Sequence, residues 1–499
     1  MSFAPRIVRI LVAVLALTTP AFASFQGLAE LEKRLADSDE KTRRAAVEEL
    51  SRQNGVAAIQ LVLASLRDPS PMVADEAQIS LASADEPAEF ELLFAKDGLG
   101  SKDDMVRLRC AEALGRIDAK LPSLRLSKCL GDKNPQVRRA MAWSIERLAG
   151  HLGIVESPSP LLRKELQSMA DRDNASEVRA ASVMALAALP PGLGVTEITA
   201  FAADKQFEVR SAALLAASNL DNPSKLLLAR QGLKDQHPSV RLQAHALLAR
   251  VANREAAVLL ADALETEKAA RPAWSLVKVL RQLSGAKAGR EARYWQQWAK
   301  ELAEDWKPGE VEARSPDPDQ KTATFVGLPI LSERITFLID MSGSMWEERD
   351  DKTRKAGADK ELERALSGLP ASCEFNVIVF SLTPVAWEKE LQPATPKNVA
   401  DALAFFVKRK DQGKGNYWDA MQFALEDPKV DTLILLGDGA PTGGTRWNVE
   451  LMRTLYGEQN RFRLAVLDAV LVDCSKTLTR TWNAWCESTG GRTLATDLR

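Results

Sequence analysis

The chain has 499 residues, 27% charged and 45% hydrophobic, enough for several cores and too ordinary for a wholly disordered or collagen-like chain. Lys+Arg 66 against Asp+Glu 68 leaves a net charge of −2, which gives no footing for nucleic-acid binding. The only histidines are His151, His237 and His245, which disfavours a zinc enzyme built on several imidazoles.

At the amino terminus Arg6 and Arg9 precede an apolar run from Ile10 to Leu17, then Pro20 and Ala21-Phe22-Ala23. This is the pattern of a secretory signal peptide, residues 1–23, cleaved after Ala23. The apolar run is far shorter than the about 20 residues of a membrane span. No later stretch is long and charge-free enough to serve as a transmembrane segment, and no cysteine follows the cleavage point to carry a lipid. The mature protein is expected to be exported, periplasmic or secreted; losing Arg6 and Arg9 takes its net charge from −2 to −4. Export permits disulfides. Five cysteines leave at least one without an intrachain partner; Cys474 and Cys486 are the pair to test, and buried free thiols suit most of the five.

A short pattern then recurs, Val-Arg followed by an Ala-rich helical stretch. Its copies start at 42, 73, 106, 137, 178, 209 and 240, with steps of 31, 33, 31, 41, 31 and 31 residues. Turn and helix-start residues precede the copies, as in Asp132-Lys133-Asn134-Pro135 and Asp235-Gln236-His237-Pro238. Apolar residues follow at helical spacing, as in Val240, Ala244, Leu247, Leu248 and Val251. A two-helix unit of this size cannot bury its own face, so the copies are expected to stack as a solenoid. The long step is assigned to a loop inserted around Gly150–Gly153 and Pro158–Pro160.

Residues 25 to 285 resemble HEAT repeats of the short bacterial kind, an armadillo-type fold that offers surfaces for protein contact. The repeated arginines are read as braces between helix pairs, with a basic ligand stripe as the alternative. Trp295, Trp298 and Trp306 are read as a closing cap, with a sugar or peptide site as the alternative. The solenoid is assigned to 25–306 and a linker to 307–329, where Ser315-Pro316-Asp317-Pro318-Asp319 has linker composition.

Beyond the linker the period changes. Strands are predicted at Ile335–Ile339, Glu374–Phe380, Thr432–Leu436, Leu464–Val472 and Arg492–Ala495, and helices at about 353–368, 396–408, 417–426, 446–457 and 477–488. Alternation of this kind predicts a doubly wound, Rossmann-like α/β domain with a mostly parallel sheet. Ligands of such sheets sit at the carboxyl ends of the strands. Two strands end there in acid and small polar residues: Asp340-Met341-Ser342-Gly343-Ser344-Met345, and Asp438-Gly439-Ala440-Pro441-Thr442. Hydroxyls with carboxylates make a hard-oxygen site suited to Mg²⁺ or a similar cation.

Phe337-Leu338-Ile339-Asp340-Met341-Ser342-Gly343-Ser344-Met345 resembles the start of a von Willebrand factor type A domain, whose Asp-x-Ser-x-Ser element is the metal-ion-dependent adhesion site. Leu435-Leu436-Gly437-Asp438-Gly439 resembles its later acidic loop, and Ser488-Thr489-Gly490-Gly491-Arg492 its approach to the last strand. The resemblance covers 330–499. It implies that Ser342 and Ser344 bind Mg²⁺, Mn²⁺ or Ca²⁺ directly, Asp340 and Asp438 directly or through water, and that an acidic side chain of a protein partner completes the shell. One piece departs from the family. Where it carries a liganding Thr, this chain has Gly415, within Gly413-Lys414-Gly415-Asn416-Tyr417-Trp418-Asp419-Ala420; Asn416 is the substitute ligand expected from its amide oxygen. Asp419 is expected to cap the next helix or orient the ligands.

No histidine follows residue 245 and there is no glycine-rich phosphate loop, so no triad or nucleotide site is indicated. Trp346, Glu347, Glu348, Arg349 and Asp350 read either as a specificity rim or as a solvated helix start. The expected function is that of an exported, non-enzymatic adhesion or interaction protein. The alternatives are a metal-independent envelope assembly scaffold and, behind it, a metal-assisted hydrolase.

Overall fold

The computed structural model describes residues 27–53, 55–152, 159–309, 323–349, 352–410 and 412–496. The signal-peptide segment and most of the linker lie outside the described residues. The chain divides into two compact units, Met1–Glu156 and Ser157–Arg499.

In the first unit, helices bearing the Val-Arg position or its degenerate copies alternate with shorter partners. Glu40–Leu50 precedes Val56–Ser65, Pro71–Ser80 precedes Pro87–Phe94, and Asp104–Leu114 precedes Ser123–Cys129; Pro135–Leu152 follows. The turn residues act as read: Asp39 accepts from the Lys41 and Thr42 amides, Asp103 from those of Met105 and Val106, and proline opens Pro71–Ser80. Helix Pro135–Leu152 runs through Gly150, and residues 153–158 of the expected inserted loop lie outside the described residues.

The second unit begins with Pro160–Arg172. Three helix pairs follow: Ser176–Ala188 with Val195–Ala202, Phe207–Ala216 with Asn222–Gly232, and Pro238–Val251 with Arg254–Thr266. Ala212, Ala213, Ala216 and Ala217 are buried where neighbouring helices approach, so a larger side chain there would hold the helices apart. Ala270–Ser284 and Ala292–Glu301 end the array. Trp295 is fully buried, gives its indole N–H to the Gly289 carbonyl at 2.7 Å, and meets Trp298 edge-on, which meets Trp306 the same way. The tryptophans form a cap.

The repeated arginines are braces. Arg43, Arg107, Arg210 and Arg241 reach Asp68, Asp132, Asp235 and Glu267, each at 2.7 Å, and Arg179 pairs with Asp204. Each acid lies 25 or 26 residues on, in the turn before the next repeat helix. Arg210 also donates to the Asp204 and Lys205 carbonyls, while Asp235 accepts the His237 amide. One guanidinium thus ties two successive turns.

The sheet has seven strands, numbered here β1 (Arg334–Asp340), β2 (Glu374–Phe380), β3 (Pro384–Ala386), β4 (Gln392–Pro393), β5 (Thr432–Gly437), β6 (Val466–Val472) and β7 (Thr493–Thr496). Their order is β7-β6-β5-β1-β2-β3, with β4 also on β2. The first five of these are mutually parallel; β3 and β4 run antiparallel to β2. β1, β5 and β6 are buried along nearly their whole length, as strands covered on both faces must be. The helices are Arg354–Ser367, Pro396–Lys408, Tyr417–Ala424, Val449–Asn460 and Lys476–Ser488. The antiparallel edge was not anticipated, because β3 and β4 are too short to show a period. The 346–350 charge run is not a helix start: Glu348–Arg349 pairs with Lys352–Thr353 as a small hairpin. All five cysteines are free.

Within the second unit the sheet domain docks on the repeats by one turn. Ser211 donates to the Phe462 carbonyl at 2.9 Å, Ser239 to that of Arg463 at 2.5 Å, and Gln243 to that of Arg461 at 3.0 Å. Arg463 turns the other way, into the sheet domain, where it donates to the carbonyls of Leu425, Asp427 and Val430.

Candidate metal centre

The chain leaves β1 for β2 on one side, then returns through β5 on the other. β1 and β5 are therefore adjacent strands at the point where the order reverses, which is where open α/β sheets form a crevice. Ile339 lies in register with Leu436, so Asp340 and Asp438 emerge side by side.

Asp340 is fully buried, and both its oxygens are engaged. One accepts the Ser342 amide at 2.7 Å and the other the Tyr417 hydroxyl at 2.6 Å. The loop then turns back so that Ser342 Oγ lies 3.2 Å from Ser344 Oγ, and Ser344 donates to Asp438 Oδ2 at 2.7 Å. Burial pushes the Asp340 carboxyl up to about 6, against the lowering effect of Tyr417. Ser344 and Asp438 are only partly buried, so the cluster opens to solvent on their side.

Tyr417 was absent from the candidate residues and sits at the centre of the site. Its hydroxyl lies 2.6 Å from Asp340 and 3.0 Å from Asp438 Oδ1, and accepts the Gly439 amide at 2.8 Å. A phenol has one proton, so it serves one carboxylate at a time. Burial and the two carboxylates hold its own ionisation well above the usual range. Nothing local in the sequence marked it; its role arises because three distant loops meet. The glycines are the trace it leaves. A Cβ on Gly437 would stand 2.4 Å from the Tyr417 hydroxyl and 2.8 Å from Asp340 Cβ, and one on Gly415 would stand 3.0 Å from the Tyr417 ring. A side chain at 415 would require the Tyr417 ring to give by a few tenths of an ångström.

Asn416 is engaged elsewhere. It caps helix Tyr417–Ala424, its amide oxygen taking the Asp419 N–H at 3.2 Å and its amide nitrogen donating to the Leu382 carbonyl and Asp419. To turn towards Asp340 it would have to release that cap. Asp419 is not the cap itself; it holds Asn416 and the Thr445 hydroxyl. Arg354, also unforeseen, donates to the Ser344 carbonyl at 2.9 Å while paired with Asp473 at 2.9 Å, and so fixes the serine loop from outside.

Among the described residues no three His, Cys, Asp or Glu side chains gather as a metal site, so a cation here would rest on two carboxylates and two hydroxyls. Oxygens in adjacent positions around Mg²⁺, at about 2.0–2.1 Å from it, stand about 2.9 Å apart. The Ser342–Ser344 and Ser344–Asp438 separations of 3.2 and 2.7 Å bracket that value.

Comparison with known proteins bears on the two folds. Residues 93–187 match a family model described as HEAT repeats. Human inter-alpha-trypsin inhibitor heavy chain H4 is 34% identical over 130 residues, 24% of this chain and 13% of that protein. Residues 93–187 are thus similar to HEAT repeats, and the sheet domain has the strand order and parallel pairing of a von Willebrand factor type A fold. Bovine heavy chain H3 is 34% identical over 125 residues, 23% of this chain and 14% of that protein, so the match spans a small part of either relative. A von Willebrand factor type A structure from Catenulispora acidiphila aligns with a TM-score of 0.28 and 16% identity, over 34% of this chain and 39% of that one. In this A domain the two acidic loops, the serine loop and Tyr417 form one centre, and no helix among the described residues is long and apolar enough to cross a membrane.

Proposed function

We propose that the protein is an exported, non-catalytic interaction protein whose A domain engages a carboxylate of a protein partner at a divalent-cation site. Export rests on the signal-peptide pattern of residues 1–23. The observation that carries the binding reading is the convergence of Ser342, Ser344 and Asp438 oxygens over the buried carboxyl of Asp340. Those four residues would hold Mg²⁺, Mn²⁺ or Ca²⁺, with Asn416 keeping its helix cap. The chemistry such a cation supplies is a positive centre for an acidic side chain. Around it, Ser344 and Asp438 face solvent, and Leu382, 58% exposed, stands over the Gly413 turn as an apolar contact for the partner. The HEAT-like repeats supply a second protein-binding surface or set its spacing.

A metal-independent scaffold is the second reading, favoured by Tyr417, whose hydroxyl stands within hydrogen-bond reach of both carboxylates and donates to one of them at a time. The test uses the full chain with bound Mn²⁺, followed by water-proton relaxation. A glutamate-bearing peptide should displace water and lower the relaxation enhancement, and EDTA or Ser344→Ala should abolish both signals. Peptide binding that survives EDTA would refute the cation reading and leave the scaffold.

A further inference from the structure

The opposite end of the same sheet holds a cavity of about 260 Å³, enclosed by helix Ala270–Ser284 and the amino-terminal ends of β1, β5, β6 and β7. We propose that this cavity binds a small amphipathic organic anion, its oxyanion head on Arg271 and its apolar body against Trp274.

The wall from the repeats is one helix face. Arg271, Trp274, Ser275 and Lys278 recur at the spacing that aligns side chains along a helix, and all four line the cavity. Arg271 forms no hydrogen bond or ion pair within the described residues. Asp431 is the carboxylate that most favours its charge, yet the two do not pair: Asp431 Oδ1 instead accepts the Ser332 and Thr432 hydroxyls at 2.5 and 2.9 Å. The guanidinium is partly exposed, yet it loses some hydration here with no acid paired to it. Its position adds to the cost, because Arg271 stands in the first turn of its helix, where the backbone dipole disfavours a cation and favours an anion. An oxyanion in the cavity would relieve both.

The other wall is balanced. Among the described residues Asp468 is the only carboxylate lining the cavity, and it is tied to Arg492 by that residue's backbone amide at 2.7 Å and its guanidinium at 3.5 Å. Arg271, in the field of Asp431 but not paired with it, and solvent-exposed Lys278 are the cations of the helix wall. Leu242, Trp274, Leu331 and Val466 give the cavity an apolar part beside the hydroxyls of the lining, and Arg290 lies over the Trp274 ring. An anion without an apolar portion would leave that surface unused. Pockets for small ligands start at about 300 Å³, so the body is limited to a short chain or a single ring.

The test is calorimetric titration of the full chain with octanoate and with octyl phosphate, octanol being the neutral control. Saturable binding of at least one anion is expected, with octanol at least tenfold weaker and with the two heads separating a carboxylate from a phosphate preference. Arg271→Gln should weaken the anion at least tenfold, whereas Asp340→Ala, at the other end of the sheet, should leave it unchanged. Should Arg271→Gln fail to fold, phenylglyoxal modification of the wild-type protein, mapped by mass spectrometry, replaces it: the anion should slow modification of Arg271 and octanol should not. Equal binding of octanol, no saturable binding, or an anion that neither needs nor protects Arg271 would overturn the proposal. Because Asp340→Ala is expected to be silent here, failure at this cavity is separable from failure at the cation site.

Discussion

The two ends of the A-domain sheet are built from the same strands and carry different chemistry. At the carboxyl ends, Asp340 and Asp438 face two hydroxyls and one phenol, and negative charge is in excess. At the amino ends, Arg271, Lys278 and Arg492 line the cavity with Asp468, and Asp431 acts on Arg271 from just outside that lining. The difference follows from what closes each end. Among the described residues of the second unit the carboxyl end is closed by its own loops, and its acids are held by amides and hydroxyls. The amino end is covered by the repeats, which bring their own cations.

The docking turn gives the hardest test of this contrast. Arg463→Met leaves the Leu425, Asp427 and Val430 carbonyls without their donor and should cost about 3–4 kcal/mol, since each buried group left unpaired costs about 1–3 kcal/mol. Urea unfolding reads the loss, and hydrogen exchange should report it at residues 425–430 and 461–465; full protection there would deny that the turn anchors the domain. The open end is tested by pH. The Asp340 carboxyl is raised from 3.8 to about 6, so it favours the folded state while protonated, and that contribution is lost as pH rises from about 4 through 6. Without metal, Asp340→Asn should therefore match wild type near pH 4 and exceed it by about 3 kcal/mol at pH 7, in parallel thermal or urea denaturation. Using the difference removes His237 and His245, which burial lowers to about 4 and about 3 and whose contribution runs the other way, being lost as pH falls below 6.5.

Smaller effects sharpen the comparison. Asp235→Ala unties Arg210 from the next turn and frees the His237 amide; it should cost about 2 kcal/mol by equilibrium unfolding, a value kept low because the pair is partly solvated. Tyr417→Phe removes the hydroxyl shared by Asp340, Asp438 and the Gly439 amide and should cost about 1–2 kcal/mol without metal. Mg²⁺ should restore part of that loss; a substitution indifferent to Mg²⁺ would detach Tyr417 from the cation site.

The sequence made much of this legible where local chemistry decides it. The 31-residue step, the turn acids and the Val-Arg pairs foretold the repeats, and their arginines proved to be braces because a ladder needs the same residue at every rung. Asp340 and Asp438 could be read because the end of a buried strand is itself a local signal. Tyr417 and Arg354 could not, since each acquires its role only where loops far apart in sequence converge. Asn416 shows the limit of reading by position: next to a vacated ligand place, its side chain serves the helix start instead. The docking on Phe462 and Arg463 left no pattern at all, because the donors are ordinary serine and glutamine side chains and the acceptors are backbone carbonyls.

The central claim is that the serine and aspartate oxygens at the open end form a cation site despite Gly415. Calorimetric titration of Mg²⁺ and Mn²⁺ into the metal-stripped full chain, beside Asp340→Ala, tests it most directly. One saturable site present in the wild type and absent from the variant is the predicted result. No binding in the wild type, or the same binding in both, would contradict it.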